Sequence, residues 1–212
     1  MALGVKPLTM LLALATVAAH WRSHNPTTRP SPRLIAALIG APAGDVFLML
    51  NGFFIPGLIA FLLAHVAYLV LFRQDAPVFT SRSAWLVLSV IGAVFYAFLW
   101  SNGLPEALRL PLAVYSLAIV AMGSVALRRA VFLADAPSRL VAAGAMYFMV
   151  SDATLAINRF VVPAPHDPVW VLGTYCAAQC LIVIGLLRNQ RRGLSPAPHH
   201  MDQGVSLKSE AP

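Results

Sequence analysis

The chain has 212 residues, of which 59% are hydrophobic and 11% are charged, and its mean hydropathy is +0.75. Its apolar residues form blocks longer than the core helices of soluble proteins require, which indicates that a lipid bilayer is their solvent. A formal charge of +7 would suit nucleic-acid binding in a soluble protein. Here the Lys and Arg residues lie between the hydrophobic blocks, where they orient helices in a membrane, so no nucleic-acid partner is expected.

Seven hydrophobic segments are predicted to form helices, and the last six approach or exceed the ~20 residues that cross a bilayer core. Joints rich in Pro, Gly and Asn separate the segments, as is typical of turns. The predicted helices are residues 5–20, 33–50, 53–72, 83–101, 106–127, 139–158 and 168–188. We therefore predict an all-α, polytopic transmembrane helical bundle over residues 1–188. Residues 189–212 are polar and proline-rich, and we expect a disordered cytoplasmic tail there.

The distribution of Lys and Arg predicts how the bundle is oriented. Most of these residues fall on one side of the predicted membrane, and the other side carries only Lys6, Arg109 and Arg159. By the positive-inside rule the basic side is cytoplasmic, and it includes the C-terminus. The expected location is a bacterial inner membrane, with Met1 on the opposite face.

The first segment has two interpretations. Lys6 followed by an apolar run that ends near Ala19 could be a cleaved signal peptide. Cleavage there would export Arg22, Arg29 and Arg33, which belong on the basic side, and this favours a retained first helix. An external N-terminus is unusual for a chain with no preceding helix, so the charge pattern also points to a further helix upstream.

Three ionisable residues lie within the hydrophobic segments: Asp45, His65 and Asp152. Such groups are costly at membrane depth and indicate functional sites. At 1.5 Å per residue, Asp45 lies about 18 Å and Asp152 about 20 Å from the cytoplasmic ends of their helices, so we expect both carboxyls in one layer. Other polar side chains in the segments are Tyr68, Tyr115, Ser151, Asn158, Tyr175 and Gln179. Interhelical hydrogen bonding would also explain these groups. For that purpose alone, however, two aspartates would carry a high free-energy cost of burial in the membrane.

A buried pair of carboxyl groups has two main uses. Desolvation and mutual repulsion favour protonation of one member while the other stays ionised, which provides an acid and a base. The same pair could bind and release a proton or a cation in a transporter. No internal repeat of the kind found in many transporters is visible. No metal or cofactor is expected.

Several short motifs, in order along the chain, resemble the lysoplasmalogenase (YhhN-like) family of membrane proteins. These motifs are Lys6-Pro7-Leu8, Gly44 through Leu50, Phe61 through Tyr68, Leu110 through Tyr115, Val150 through Asn158, and Tyr175 through Gln179. The resemblance implies hydrolysis of the vinyl ether bond of lysoplasmalogens to a fatty aldehyde and a glycerophospho-base. Family members typically have one more helix before the Lys-Pro motif, giving eight.

The resemblance also implies roles for individual residues. Asp45 and Asp152 would be the catalytic acid and base, in an order that the motifs leave open. Substrate-binding or supporting roles would fall to Lys6, His65, Tyr68, Tyr115, Ser151, Asn158, Tyr175 and Gln179. The expected partners are a lysophospholipid substrate and the bilayer itself, and the oligomeric state is left open. A proton- or ion-coupled transporter and a scaffold or sensor without chemistry are the alternatives.

Overall fold

The structure is a computed structural model that describes residues 32–74, 82–162 and 167–194. These residues form six α-helices and no strands, which confirms the all-α prediction with six described helices instead of seven. The helices are α1 (Pro32–Met49), α2 (Phe54–Phe72), α3 (Arg82–Ser101), α4 (Glu106–Leu133), α5 (Ala136–Phe160) and α6 (Asp167–Leu194). The predicted helix 5–20, Lys6 and residues 195–212 lie outside the described residues.

Two helices end more than one turn beyond the residues at which the sequence predicted their ends. α4 continues to Leu133 instead of residue 127, and α6 continues to Leu194 instead of residue 188. Arg128 and Arg129, which were assigned to a joint, therefore lie within α4, and Arg129 is 1% exposed. The long aliphatic part of an Arg side chain packs against apolar neighbours, so a charged pair does not have to end a membrane helix.

The junction between α4 and α5 contains only Ala134 and Asp135. Ala134 ends α4 in the left-handed conformation, with φ at 51°, and its backbone N–H donates to the Ala130 carbonyl oxygen. Asp135 is the N-cap of α5, and its carboxylate accepts a hydrogen bond from the backbone N–H of Ser138 at 2.8 Å. Pro137 occupies the first turn of α5, where a missing N–H costs nothing. These caps place the turn later than the charge pattern suggested.

Helices α2, α3, α4 and α5 are each long and apolar enough to cross a membrane. Many of their large hydrophobic side chains point outward, and Leu63, Leu86, Val94 and Leu110 are more than 60% exposed. Such a surface would be unfavourable in water and matches lipid. The chain is therefore an integral membrane protein.

Small residues set the closest helix contacts, which lie between the antiparallel helices α5 and α6. A Cβ atom at Gly144 would lie 2.7 Å from the Ala178 carbonyl oxygen, and one at Gly185 would lie 2.6 Å from the Pro137 carbonyl oxygen. α1 and α2 approach in the same way, because a Cβ atom at Gly44 would overlap the Phe61 ring. Close backbone approach of this kind replaces the hydrophobic effect as the source of helix association in lipid.

The position of α3 leaves space inside the bundle. α2 packs on α4, α4 packs on α5, and α3 lies along α4, with few close backbone approaches to α5 and none to α2 among the described residues. Gly92 of α3 faces Val120 of α4 closely enough that a Cβ atom would lie 2.6 Å from Cγ2 of Val120. The gap between α3 and the other three helices forms the cavity described below.

Replacing Gly144 with Ala is expected to destabilise the protein, because the new methyl group would meet backbone atoms of α6 that cannot move independently. Overpacking of this kind costs about 1–3 kcal/mol. The matched control is Gly173→Ala on α6, because Gly173 is exposed and the added methyl group would meet no other described residue within 4 Å beyond its own helix turn. Thermal unfolding in detergent should show a lower midpoint for Gly144→Ala and an unchanged or higher one for the control. Equal midpoints would contradict the packing of α5 on α6.

Candidate functional site

The carboxyl group of Asp152 in α5 meets side chains from two other helices. Tyr115 of α4 donates its hydroxyl hydrogen to Asp152 Oδ2. Nε2 of His65, in α2, lies 3.5 Å from the same oxygen. The His65 side chain is fully buried and the Asp152 side chain is 11% exposed. Three of the polar residues selected from the sequence therefore converge on one carboxylate oxygen.

The hydrogen bond made by the other nitrogen of His65 determines the tautomer of the neutral ring. Nδ1 lies 2.7 Å from the carbonyl oxygen of Phe61, one turn earlier in α2. Since a carbonyl oxygen only accepts hydrogen bonds, Nδ1 carries the hydrogen in this contact. In a neutral imidazole, Nε2 is then an acceptor that faces Asp152. At 3.5 Å, Nε2 lies near Oδ2 of Asp152 but makes no hydrogen bond among the described residues.

An aromatic cluster surrounds this pair. The Phe148 ring is fully buried, and its centroid lies 4.8 Å from that of His65 and 5.5 Å from that of Tyr175, with the rings edge to face. Tyr115 packs edge to face on His65 at 5.3 Å. Edge-to-face contacts of this kind stabilise ring orientation beyond simple burial. Sequence reasoning did not select Phe148, although it lies one helical turn before Asp152 on the same face of α5.

A second polar pair connects α2 to α6. The Tyr68 hydroxyl donates to Oε1 of Gln179 at 2.7 Å, and both side chains are almost completely buried. Nε2 of Gln179 has no hydrogen-bond partner among the described residues. Tyr175 lies one turn before Gln179 and is 4% exposed. This pair extends the buried polar layer beyond Asp152 and His65.

Asp45 lies in α1 and is 8% exposed. Its charge interacts electrostatically with Asp152, Tyr115 and Tyr175. Gly44, the residue before it, allows α1 to pack directly on the Phe61 ring. The carboxyl group of Asp45 is therefore held inside the bundle, where the low dielectric strengthens electrostatic interactions.

A cavity of about 630 Å³ lies mainly between α2, α3, α4 and α5, and Leu48 of α1 also lines it. Its walls are mostly Leu, Ile, Val and Phe side chains, and its polar lining residues are Tyr115, Ser116, Asp152, Asn158 and Arg159. A volume of this size is typical of small-molecule sites. Asp152 and Tyr115 face this chamber, whereas Asp45 and His65 are not among its lining residues. An apolar ligand in the cavity would thus meet one carboxyl group with its hydrogen-bond donor in place.

The remaining predicted site residues have different positions. Asn158 lines the cavity. Ser151 is buried and its hydroxyl donates to the Val171 carbonyl oxygen at 3.1 Å, which links α5 to α6 outside the cavity. Arg159, which the sequence analysis used only as an orienting charge, lines the cavity. Its spacing of seven residues from Asp152 was the signal that could have identified it, since two turns return a helix to the same face.

No group of three or more His, Cys, Asp or Glu side chains in the described part of the chain is arranged to hold a metal ion. The carboxyl, imidazole and phenol groups around Asp152 can instead transfer and share protons. The arrangement therefore suits acid–base chemistry on a ligand in the cavity.

The pair formed by Tyr68 and Gln179 can be tested by a double-mutant cycle on thermal stability. Tyr68→Phe leaves the buried Gln179 amide without its donor, and Gln179→Leu leaves the Tyr68 hydroxyl without its acceptor. Each single change should cost about 1–3 kcal/mol, because a buried polar group loses its partner. The double variant should lose less than the sum of the two, since no orphaned group remains. Additive losses would contradict the hydrogen bond.

Comparison with known proteins identifies the family. The model of the YhhN family matches residues 1–186. A lysoplasmalogenase of Mycobacterium bovis is 34% identical over 187 residues, which cover 84% of this chain and 67% of that protein. Lysoplasmalogenase TMEM86A of Bos taurus is 31% identical over 169 residues, 77% of this chain and 69% of the relative. Lysoplasmalogenase TMEM86B of Homo sapiens is 34% identical over 156 residues, which cover 74% of this chain and 64% of that protein. No solved structure matches the chain. The chain belongs to the YhhN family.

Proposed function

We propose that this protein is a lysoplasmalogenase, an integral-membrane hydrolase that cleaves the vinyl ether bond of lysoplasmalogens to a fatty aldehyde and a glycerophospho-base. Membership of the YhhN family and the names of its relatives support this activity. The observation that carries the proposal for this chain is the position of Asp152. Its carboxyl group accepts a hydrogen bond from Tyr115 and lies on the wall of an apolar cavity of about 630 Å³.

The cavity suits the uncharged part of such a lipid. A lysoplasmalogen has a long alkenyl chain joined through the vinyl ether to glycerol, and neither the chain nor the ether carries a charge before reaction. Apolar walls from four helices would hold the chain by burying it. The polar lining residues would meet the vinyl ether and the glycerol moiety, which are the parts that react or accept hydrogen bonds.

In the first chemical step, Asp152 in its protonated form donates its proton to the alkene carbon that is not bonded to oxygen. The alkene π electrons form the new C–H bond, and an oxocarbenium ion develops on the adjacent carbon and the ether oxygen. The hydroxyl of Tyr115 stabilises the carboxylate that Asp152 becomes. The buried charge of Asp45 stabilises the cation through the low-dielectric interior.

In the second step, water attacks the oxocarbenium carbon and gives a hemiacetal. The Asp152 carboxylate accepts the proton released by the water and returns to its starting form. Nε2 of His65, 3.5 Å from Asp152 Oδ2, can share that proton. The hemiacetal then breaks its bond to the glycerol oxygen, which takes up the hydroxyl proton, and releases the aldehyde. One water molecule is consumed and Asp152 is unchanged.

This scheme assigns the two aspartates, which the sequence left interchangeable. Asp152 lines the cavity, which supports the proposal that it contacts the substrate. Asp45 is 8% exposed and does not line it, so its role is electrostatic. We further propose that the C-terminus is cytoplasmic in a bacterial inner membrane, as the basic joints indicate. Asn158 and Arg159 would then lie at the opposite, non-cytoplasmic end of the bundle.

Asp152→Asn is expected to lower kcat for aldehyde release from a lysoplasmalogen by about 10²–10⁴-fold, the usual contribution of a general acid. The assay compares wild-type and variant protein purified in detergent. Ser124→Ala is the matched control, because Ser124 is fully buried but does not line the cavity. The control should retain wild-type activity. An Asp152→Asn variant with wild-type kcat would contradict the assignment.

A further inference from the structure

Arg159 and Asp152 lie on the same face of α5. They are seven residues apart, so two helical turns separate them and they point in nearly the same direction. Both line the cavity, with Leu155 and Ala156 between them on the same wall. Arg159 lies in the last turn of α5, at the end of the bundle where α2 and α4 begin. The cavity thus has a carboxyl group within the bundle and a guanidinium group near one end.

Arg159 makes no ion pair with a carboxylate in the described part of the chain. Its guanidinium lies 5.7 Å from the centroid of the Phe54 ring, and Phe54 also lines the cavity. Arg109 lies at the same end of the bundle but differs in its ion pairing and in its position relative to the cavity. It is 3.0 Å from a Glu106 carboxylate oxygen, stacks over Trp100 at 4.3 Å, and does not line the cavity. Among the described arginines, Arg159 is therefore the one that lines this cavity and can meet an anionic ligand there.

We propose that Arg159 binds the phosphate of the lysophospholipid headgroup and thereby sets the register that brings the vinyl ether to Asp152. This inference rests on the proposed function, because it concerns the same cavity and substrate. A guanidinium binds phosphate oxygens through two parallel N–H donors, which fixes the position of the group as well as attracting its charge. Asn158, the preceding residue, also lines the cavity.

The spacing of the two residues matches the substrate. Along the axis, Asp152 and Arg159 are about 10 Å apart at 1.5 Å per residue. Helical side chains tilt toward the N-terminus of their helix, so the long Arg159 side chain is directed back toward the level of Asp152. In a lysoplasmalogen, seven covalent bonds separate the phosphorus from the alkene carbon that is protonated. Fully extended, such a segment spans about 8 Å, by comparison with ~3.5 Å per three backbone bonds of a peptide.

The consequence is a preference for substrates that carry phosphate. A neutral 1-alkenylglycerol has the same vinyl ether and chain but nothing for Arg159 to bind. It should enter the cavity in several registers and react less efficiently. The group attached beyond the phosphate, choline or ethanolamine, should matter less, because the proposed contact ends at the phosphate.

The test compares Arg159→Gln, Arg159→Lys and the matched control Arg109→Gln on two substrates: a lysoplasmenylethanolamine and a 1-alkenylglycerol with the same chain. For the phospholipid, Arg159→Gln should raise KM by about 10- to 100-fold with a smaller change in kcat, the loss expected for a hydrogen-bonded charged group. Arg159→Lys should recover part of the loss. For the alkenylglycerol, neither variant should differ from wild type, and Arg109→Gln should match wild type on both.

Binding measured separately distinguishes this inference from the proposed activity. A lysophosphatidylethanolamine with a saturated 1-alkyl ether cannot react, and its affinity in detergent can be followed with a radiolabel, beside a 1-alkylglycerol. Weaker binding of the phospholipid alone to Arg159→Gln supports the phosphate contact, even if wild-type protein releases no aldehyde. Unchanged binding, or an equal loss for both ligands, would overturn the contact while leaving the proposed hydrolysis standing.

Discussion

The cost of holding a carboxyl group inside a bilayer determines how the helices meet around Asp152. In hydrocarbon such a group needs partners from the protein, because lipid supplies none. Asp152 obtains them from α4, through the Tyr115 hydroxyl, and from α2, through Nε2 of His65. His65 is itself oriented by the Phe61 carbonyl oxygen at 2.7 Å. The position of the carboxyl oxygen therefore depends on three helices, and each must keep its rotation and depth for the contacts to persist.

The rest of the bundle separates a polar layer from an apolar chamber. On one side, buried side chains such as Tyr68 and Gln179 pair with each other. On the other side, α3 lies along α4 without a close backbone approach to α2 among the described residues, which leaves a cavity of about 630 Å³ with mostly aliphatic and aromatic walls. Asp152 lies between the two, in contact with His65 and Tyr115 and facing the cavity. We propose that this arrangement lets a proton reach an uncharged lipid while Asp45 remains buried and acts through its charge.

Much of the fold followed from the sequence because membrane helices have a fixed rise and a minimum length. The spans of α2 and α3 followed from counting residues. The position of the junction between α4 and α5 could not be predicted in this way, because Arg129 is buried within α4 and the turn depends on capping by Asp135. Counting residues gives depth along a helix but not its rotation, which depends on packing. That is why the sequence did not show which aspartate faces the cavity, why Phe148 was missed, and why Arg159 was treated only as an orienting charge.

The central claim is that cleavage begins with proton transfer from Asp152 to an alkene carbon. It is tested most directly by carrying out the reaction in D₂O and trapping the aldehyde by reduction as it forms. The account predicts one deuterium on the carbon next to the former aldehyde carbon, and slower turnover in D₂O than in H₂O because that transfer forms the high-energy cation. Equal turnover in the two solvents would contradict the account, since proton transfer to the alkene carbon would then not limit the reaction.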